Sequence, residues 1–303
     1  GWDGDPRLWS VQDGVIRGET TAQKPMQNNT FLVYRGGQFD DFELNLKFRL
    51  LGGNSGVQYR SKEFDKWRIA GYQADILDDL NLVGFLYHEG GRGFLATLGD
   101  FTVVDGKGEK QVVGNVNDKK ALAEAGFYRA KDWNEFVIVC RGNHIAHYLN
   151  GYQTIELIDN DRAVNPDDPK DQKGSSRTGL LALQLHAGPP MAVEFKDIRI
   201  RPIPPVYGDA VPIFNGRDLS EWQAKGDSGK ANKWAAGKAK VSASNPKLLE
   251  KVDGVGELIN LTPAHGESQD LYSKAKFGDC LIEVEVMVPQ GANSGVYVMG
   301  EYE

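Results

Sequence analysis

Cysteine and long apolar runs are both scarce in this sequence. Its 303 residues include only Cys140 and Cys280, which are far apart in the chain and lie in apolar, strand-like stretches. Two separate buried thiols fit this pattern better than a disulfide framework does. No apolar run approaches the roughly 18–20 residues that a membrane-spanning helix needs, so we expect no membrane span. The opening residues GWDGDPRLW have neither the basic nor the apolar part of an export signal, which we expect to be absent or already removed.

Positive charge is also scarce, and it is dispersed along the chain. Lys and Arg number 35 against 42 Asp and Glu, which gives a net charge of −7 and an isoelectric point near 5.4. The sequence contains no basic stripe that could neutralise a phosphate backbone. We therefore expect no nucleic-acid partner.

Three familiar catalytic motifs are missing. The Glu-x-Asp-x-x-Glu strand, which places an acid and a nucleophile on one face of jelly-roll glycosidases, does not occur. A Gly-x-Ser-x-Gly elbow and a nucleotide-binding glycine loop are absent as well. Ordinary retaining hydrolysis by a carboxylate pair is therefore not supported, and we expect no nucleotide cofactor.

The residues that are present predict strands almost throughout. The stretch from Phe42 to Leu50 alternates apolar with polar residues, as a strand does when one face is buried. One short helix is expected in DKKALAEAGF (118–127). Further short apolar runs, separated by turn signals, are FVIVC (136–140), HIAHYL (144–149) and LLALQLH (180–186). The pattern predicts an all-β sandwich of the jelly-roll kind.

A short motif occurs twice in the chain. GGNSGV at 52–57 recurs as GANSGV at 291–296, and other matches follow in the same order at a spacing of about 240 residues. This pattern predicts a tandem duplication, with a first domain over 1–202, a Pro-rich linker over 203–212 and the beginning of a second copy over 213–303. The first copy's opening strand and most strands of the second are then expected outside this sequence, which we interpret as a segment of a longer protein.

Several longer motifs occur together in the chain: DDFELNLKFRL, GGNSGVQYR, GYQADI, DWNEFVIVCRGNHIAHYLNG, TGLLALQLHAGPPMAVEFKDIRI and, in the second part of the chain, FNGRDLSEW. Together they resemble the 3-keto-disaccharide hydrolase family. The resemblance covers residues 1–202 and the first third of a second copy. It implies a concanavalin-like jelly roll, a carbohydrate or keto-sugar ligand, and a periplasmic or secreted location. The oligomeric state stays open.

Three strands carry two polar residues, two positions apart, on the side away from their aliphatic residues. Such a pair usually only marks the solvated face of a strand. Gln and Asp, however, have low strand propensity, so they are unusual choices for a merely solvated face. Three such pairs together favour a site on one concave surface. The pairs are Gln58 with Arg60, Gln73 with Asp75, and Gln184 with His186. The sequence departs from the resembling family at the middle pair, because Gln73 stands where Glu is usual and Asp75 where Gln is usual.

The resemblance implies a particular chemistry. A ketone at C3 of a glycoside acidifies the C2 proton, so that a base can remove it, the anomeric substituent can leave, and water can add back. This route needs a base near C2 and an electrophile at the ketone oxygen. The candidates for catalysis are Asp75, His186, Gln73 and His147. A divalent metal of unknown identity is one candidate electrophile, with Asp75, His186 and Glu194 as ligand types.

Further residues are candidates for contact with a sugar. Asn54 lies in the repeated motif, and Trp67 is either a stacking platform or a packing aromatic at a loop edge. His144 is expected to be merely exposed. The full set of substrate-binding candidates is Asn54, Gln58, Arg60, Trp67, Tyr87, Glu89, Arg92 and Gln184.

Three functions remain open from the sequence. The first is an enzyme acting on 3-keto-glycosides, the second a non-catalytic glycan-binding module, and the third a structural or adhesion repeat. An enzyme should gather His186 and Asp75 within reach of one substrate atom, whereas a binder should present aromatic rings over neutral amides.

Overall fold

The structure is a computed structural model that describes residues 1–165, 167–205, 208–225, 230–264, 267–278 and 280–298. The chain divides into two compact units, Gly1–Pro205 and Val206–Glu303. Within the described ranges, no helix is both long and apolar enough to span a membrane.

The first unit consists of two β-sheets packed face to face. Its strands are, in chain order, β1 (Trp2–Asp3), β2 (Trp9–Gln12), β3 (Val15–Glu19), β4 (Thr30–Tyr34), β5 (Phe42–Gly52), β6 (Asn54–Asp65), β7 (Arg68–Leu77), β8 (Leu86–Glu89), β9 (Gly93–Ala96), β10 (Asp100–Val104), β11 (Lys110–Asn115), β12 (Asn134–Arg141), β13 (His144–Leu149), β14 (Tyr152–Asp159), β15 (Leu180–Leu185) and β16 (Ala192–Pro202). One sheet has seven strands in the order β1-β4-β15-β6-β7-β8-β9. The other has nine, in the order β11-β10-β14-β13-β12-β5-β16-β3-β2.

The core lies between the two sheets, and β5 illustrates how the sequence builds it. Burial along this strand alternates from Phe42 to Leu50, with the apolar residues buried and the polar ones partly exposed. On the facing sheet, Val57, Tyr59 and Tyr72 belong to the same buried core cluster, although β6 and β7 are buried on both faces there. The predicted all-β sandwich is confirmed.

The one helix of the described part of this unit, α1, covers Lys119–Glu124. Asp118 caps it, because its carboxylate accepts a hydrogen bond from the backbone N–H of Ala121 at 2.9 Å. Gly126, with φ of 66°, follows its C-terminal end and takes the left-handed conformation that commonly terminates helices. The helix predicted over 118–127 is therefore confirmed in a shorter form.

The tip of the β6–β7 hairpin bends across the seven-stranded sheet. The pairing of these strands shifts register twice near the tip, between Tyr59 and Lys62 and again near Asp65. The backbone N–H of Phe31, on β4, donates to the carbonyl of Trp67 at 3.1 Å. A small apolar cluster lies beneath the tip and comprises Phe31, Val33, Ile69 and Ala182, with Trp67 and Leu180 at its margin. The tip therefore covers part of the sheet face that points away from the core.

The second unit contains two short antiparallel pairs among its described residues. Strand β17 (Trp222–Ala224) pairs with β20 (Leu271–Ser273), and β18 (Trp234–Val241) pairs with β19 (Leu249–Asn260).

The apolar stretch from Leu281 to Val288 lies in the predicted second copy, but the described residues form no strand there. Its large apolar side chains are exposed, and so is Cys280. The prediction of two buried thiols is wrong for Cys280 and right for Cys140. The reason is physical, since a strand buries its apolar face only where a neighbouring strand and an opposing sheet cover it.

Candidate functional site

The outer face of the seven-stranded sheet, the face that points away from the nine-stranded sheet, brings the predicted polar residues together. Gln58 on β6 lies directly opposite Gln73 on β7, and Gly56 lies opposite Asp75. Gln73 in turn lies opposite Tyr87 on β8. Cross-strand partners have Cβ atoms roughly 5 Å apart, so these side chains form one continuous surface.

A chain of hydrogen bonds runs along this surface and ends at Asp75. Ser61 Oγ donates to Gln58 Oε1 at 2.8 Å, and Gln58 Nε2 donates to Gln73 Oε1 at 2.8 Å. Gln73 Nε2 then donates to Asp75 Oδ2 at 2.7 Å. Asn54 Nδ2 donates to the other oxygen, Asp75 Oδ1, at 3.2 Å. We call these five residues the amide chain; both Asp75 oxygens accept hydrogen bonds from it.

The amide chain requires a glycine beneath it. A Cβ atom placed on Gly56 would lie 2.5 Å from Cδ of Gln73, which is closer than any real contact of this kind. Because Gly56 has no side chain, Gln73 can lie flat across β6 and reach both Gln58 and Asp75. The glycine of the Asn-Ser-Gly motif, Gly56, therefore makes room for the site rather than for a turn.

Burial changes the protonation of Asp75. Only 4% of the residue is exposed, and this burial raises the pKa of Asp75 from 3.8 to about 7. The hydrogen bonds from Gln73 and Asn54 oppose the rise, while the charge of Glu89 adds to it. A carboxyl group with this pKa exchanges protons near neutral pH, which suits a general base.

Gln184 is a fully buried amide without a hydrogen-bond partner. Neither Oε1 nor Nε2 has one among the residues that the structure describes. The neighbouring pair of Leu183 with Val57 places Gln184 beside Gly56, on the opposite side of β6 from Asp75. An unpaired buried amide costs about 1–3 kcal/mol, so this position favours a polar ligand atom that would pair with it.

His186 lies just beyond the end of β15 and is exposed. Its Nδ1 donates to the carbonyl oxygen of Ala187 at 2.6 Å, which leaves Nε2 free to accept a proton. His186 is close enough to Glu89 for its charge to affect the pKa of that carboxyl, and Glu89 similarly affects Asp75. Glu89 therefore interacts electrostatically with both His186 and Asp75, the two residues that were predicted to share a site.

A cleft of about 290 Å³ opens on this side of the sheet. It lies where Glu89, the end of β15 and the bent hairpin tip meet. Burial raises the pKa of Glu89, whose Oε1 accepts a hydrogen bond from Asn29 Nδ2 at 3.0 Å. The lining residues are Gln27, Asn28, Asn29, Phe31, Phe64, Arg68, Ile69, Glu89, Gly90 and Ala187.

Arg60 does not form a pair with Gln58 on the outer face. Its φ of 45° and the register shift after Tyr59 turn its side chain away from the position that strict alternation gives. The guanidinium donates to the carbonyls of Asp40 and Gly142 and forms an ion pair with Asp41 at 2.8 Å. The predicted substrate contact at Arg60 is therefore wrong, because its donors are used within the fold.

His147 lies in the core rather than in a site. It is fully buried on the nine-stranded sheet, with Nδ1 donating to the carbonyl of Gly84 at 3.3 Å and Nε2 accepting from the hydroxyl of Tyr59 at 2.7 Å. Burial lowers the pKa of His147 to about 3, so the ring is neutral at physiological pH. The predicted catalytic role is wrong, since both nitrogens are occupied and no solvent reaches the ring.

Arg92 also holds the fold together. Its guanidinium pairs with Asp159 at 2.6 Å and with Asp161 at 3.2 Å, and it lies near the hydroxyl of Tyr72. These partners engage both terminal nitrogens of the guanidinium, while Nε has no partner among the described residues, and the role in substrate binding stays a prediction. Trp67 follows the packing alternative, because its ring lies against the cluster beneath the hairpin tip.

The predicted metal ligands do not assemble. Glu194 is on the nine-stranded sheet, where Arg17 and Arg49 hold its carboxylate at 2.9 Å and 2.5 Å. Both oxygens of Asp75 accept hydrogen bonds from amides. Across the described residues, no three His, Cys, Asp or Glu side chains are grouped so that they could hold a metal ion. Asp75, His186 and Glu194 therefore do not fit a shared metal in this arrangement.

One feature of the outer face was not predicted. Phe85 and Phe94 stack with ring centroids 4.8 Å apart, and Tyr87 meets Phe94 edge-on at 5.3 Å. Phe85 is buried outside the main core, while Phe94 is 48% exposed. Only the pairing of β8 with β9 brings these rings together, and the sequence gives no local signal of that register.

Sequence comparison identifies the family of the chain. The profile of the 3-keto-alpha-glucoside-1,2-lyase-like domain matches residues 1–201 and 209–303. The chain belongs to this family. The lyase-like domain thus accounts for the motifs that carried the resemblance, and the site described above lies within its first matched stretch. No curated protein is significantly similar in sequence to the chain.

Solved structures resemble this lyase-like domain distantly. A proposed glycosyl hydrolase from Parabacteroides distasonis shares 22% identity, with 67% of this chain and 93% of that chain covered and a TM-score of 0.43. A carbohydrate-binding module from Bacillus subtilis shares 14% identity over 66% and 94% of the two chains, with a TM-score of 0.40. Similarity of this degree carries no information on what this chain binds or turns over.

Proposed function

We propose that the first unit cleaves 3-keto-glycosides, with Asp75 as the base that removes the C2 proton. The observation that carries the proposal is a buried carboxyl group with a pKa of about 7, both of whose oxygens accept hydrogen bonds from the amide chain. Family membership supports the class of substrate. A base with a pKa near the working pH combines a useful ionised fraction with useful proton affinity.

The reaction balances without a redox step. Asp75 takes the C2 proton, and the electron pair of that C–H bond passes to the ketone oxygen as an enolate. When the enolate reforms the ketone, the C1–C2 double bond forms and the bond from C1 to the glycosidic oxygen breaks. The departing oxygen takes up one proton and leaves as an alcohol. Water then adds across C1 and C2, with its hydroxyl going to C1 and a proton to C2. The products are a free 3-keto sugar and the alcohol, which together amount to net hydrolysis.

The ketone oxygen gains negative charge when C2 is deprotonated, and the proposal assigns its stabilisation to Gln184. The Nε2 atom of Gln184 is a buried donor without a partner among the described residues. A donor that is already oriented in a water-poor site stabilises developing charge more effectively than one in solution. Pairing with the ketone would also satisfy an amide that is otherwise unpaired.

His186 suits the proton transfer to the departing oxygen. It is exposed just beyond the end of β15, its Nδ1 donates to the carbonyl of Ala187, and its charge acts on Glu89. Its Nε2 can take up a proton, deliver it to the departing oxygen and recover a proton from water. In this scheme Asp75 and His186 have separate tasks.

A glycan-binding module is the second candidate function. The neutral amides Gln58, Gln73 and Gln184 and the exposed ring of Phe94 are the residue types that a sugar-binding surface uses. Such a module would bind a sugar through the same face and release it unchanged.

Leaving-group release from matched substrates separates the two functions. The whole chain is incubated with methyl 3-keto-glucoside and with ordinary methyl glucoside, and methanol release is followed. We expect release from the keto-glucoside alone. Release from neither compound, with sugar binding retained, would instead favour the binding module, and equal release from both would contradict the elimination route.

We also propose that residues 213–303 begin a second copy of the first unit. The support is the repeated Asn-Ser-Gly-Val motif and the second matched stretch of the family profile, 209–303. In a crystal structure, the strand before Asn293 should then superpose on the strand before Asn54. A chain that turns differently after the two Asn-Ser-Gly motifs would contradict the duplication.

A further inference from the structure

The three rings of Phe85, Tyr87 and Phe94, called here the aromatic step, lie on the same sheet face as Asp75. Asp75 and Phe85 are backbone neighbours, because the N–H of Asp75 donates to the carbonyl of Phe85 at 3.1 Å. Tyr87 lies directly opposite Gln73, which bonds to Asp75. The aromatic step therefore begins at the strand position next to the proposed base.

Phe94 is the accessible part of the aromatic step. Its ring is 48% exposed, although Phe85 supports it from one side and Tyr87 from the edge. A ring held in this way loses little conformational freedom when a ligand covers its free face. An exposed phenylalanine that is pre-ordered by two buried or half-buried rings is more than ordinary surface scatter.

The spacing matches that of two adjacent rings of a glycoside. A cross-strand separation of roughly 5 Å leads from Asp75 to Phe85, and the centroids of Phe85 and Phe94 are 4.8 Å apart. A sugar whose C2 lies at Asp75 would thus extend its anomeric substituent toward Phe94 if it lies along the sheet in this direction. The apolar face of a pyranose or an aryl ring can cover a phenyl ring, and both bury apolar surface there.

We propose that the aromatic step is the leaving-group subsite, which favours 3-keto-glycosides whose anomeric substituent is a second pyranose or an aryl ring over those with a small alkyl group. This inference rests on the proposed function for the placement of C2 at Asp75. Its own content is a binding preference for a ring-shaped leaving group, which does not require turnover.

Binding is measured by calorimetry in the Asp75→Asn background, so that turnover does not interfere. The probes are phenyl 3-keto-glucoside and methyl 3-keto-glucoside. We expect the phenyl compound to bind about tenfold more tightly, which corresponds to about 1.4 kcal/mol. Adding Phe94→Ala should reduce this ratio to about one. Phe94→Tyr should retain it, and so should the control Val113→Ala, which truncates an equally exposed apolar residue on the other sheet.

The outcomes separate this inference from the proposed function. The subsite would be overturned if the Asp75→Asn protein binds the phenyl and methyl compounds equally well. It would also be overturned if the preference for the phenyl compound is unchanged after Phe94→Ala is added. If the protein with Asp75 intact releases no alcohol from either probe while the preference depends on Phe94, the catalytic proposal fails and the subsite stands. Far-UV circular dichroism of the Phe94→Ala variant, expected to be unchanged, confirms that the fold is intact.

Discussion

Gln73 Nε2 donates a hydrogen bond to Asp75 Oδ2 at 2.7 Å while Gln73 Oε1 accepts one from Gln58 at 2.8 Å. The amide of Gln73 is thereby fixed in one orientation, with its donor end toward the carboxyl group. A hydrogen bond to the ionised form favours that form, so Gln73 moderates the effect of burial on Asp75.

Replacing Gln73 by Leu should leave less of the base ionised near neutral pH. The variant loses the hydrogen bond that lowers the pKa of Asp75, so the rise of kcat/KM with pH should move upward by about one pH unit. At pH 7 the rate should fall by roughly fivefold, because the ionised fraction of Asp75 falls from about one half to about one tenth. The control is Gln111→Leu on exposed strand β11. A pH profile that is the same in both variants and in the parent protein would remove Gln73 from the mechanism.

Asp75 should also make stability depend on pH. Its pKa is about 7 in the folded chain and near 3.8 when exposed, so between these values the folded state holds a proton that the unfolded state has released. Its contribution to stability is therefore full below pH 4 and lost as pH rises to about 7, a difference of about 4 kcal/mol. The melting temperature of the unmutated protein should therefore fall more than that of Asp75→Asn as the pH rises from 4 to 7. If the melting temperatures of the unmutated protein and of Asp75→Asn change in parallel from pH 4 to pH 8, then burial does not raise the pKa of Asp75.

Replacing His186 by Ala should affect turnover and not folding. His186 is exposed, and a surface substitution changes stability by about 0.5 kcal/mol or less. If it carries the proton to the departing oxygen, turnover of a 3-keto-glucoside should fall roughly 100-fold. His144→Ala is the matched control, because His144 is likewise exposed and bonds only to Glu156. Unchanged activity of His186→Ala would contradict the assignment of His186 to proton transfer. A large fall in its melting temperature would instead indicate a structural role.

Arg92→Ala should affect folding and not substrate affinity. The substitution leaves Asp159, whose side chain is 1% exposed, without its ion pair. Breaking a buried pair in this way costs about 3–5 kcal/mol. The exposed pair of Arg201 with Glu43 offers a control, since Arg201→Ala should cost no more than about 1 kcal/mol. Chemical denaturation measures both. A raised KM at unchanged stability would support the predicted sugar-binding role.

Local patterns in the sequence predict the fold well. The alternation from Phe42 to Leu50 determines which side of β5 is buried, because side-chain direction repeats every two residues. The same rule places Gln73 and Asp75 on the outer face together. Both inferences need only the residue and its neighbours along one strand.

The errors concern relations that one strand cannot reveal. The predicted pairing of Arg60 with Gln58 on the outer face fails because a bulge, with a positive φ at Arg60, interrupts the alternation along β6. The predicted catalytic role of His147 fails because the surroundings of this residue depend on how the two sheets stack. The hydroxyl of Tyr59, on the opposite sheet, bonds to its ring. Phe94 was missed because its neighbours come from another strand across a Gly-rich turn.

Hydrogen exchange at C2 tests the central claim most directly. The whole chain and its Asp75→Asn variant are incubated in D₂O with methyl 3-keto-glucoside, and proton NMR follows the C2 signal and the unsaturated product. The account predicts loss of the C2 proton signal with the parent protein, rising with pH through about 7, and a rate at least 100-fold lower with Asp75→Asn. Release of methanol by the variant at the parental rate, with the C2 proton removed as before, would contradict the account.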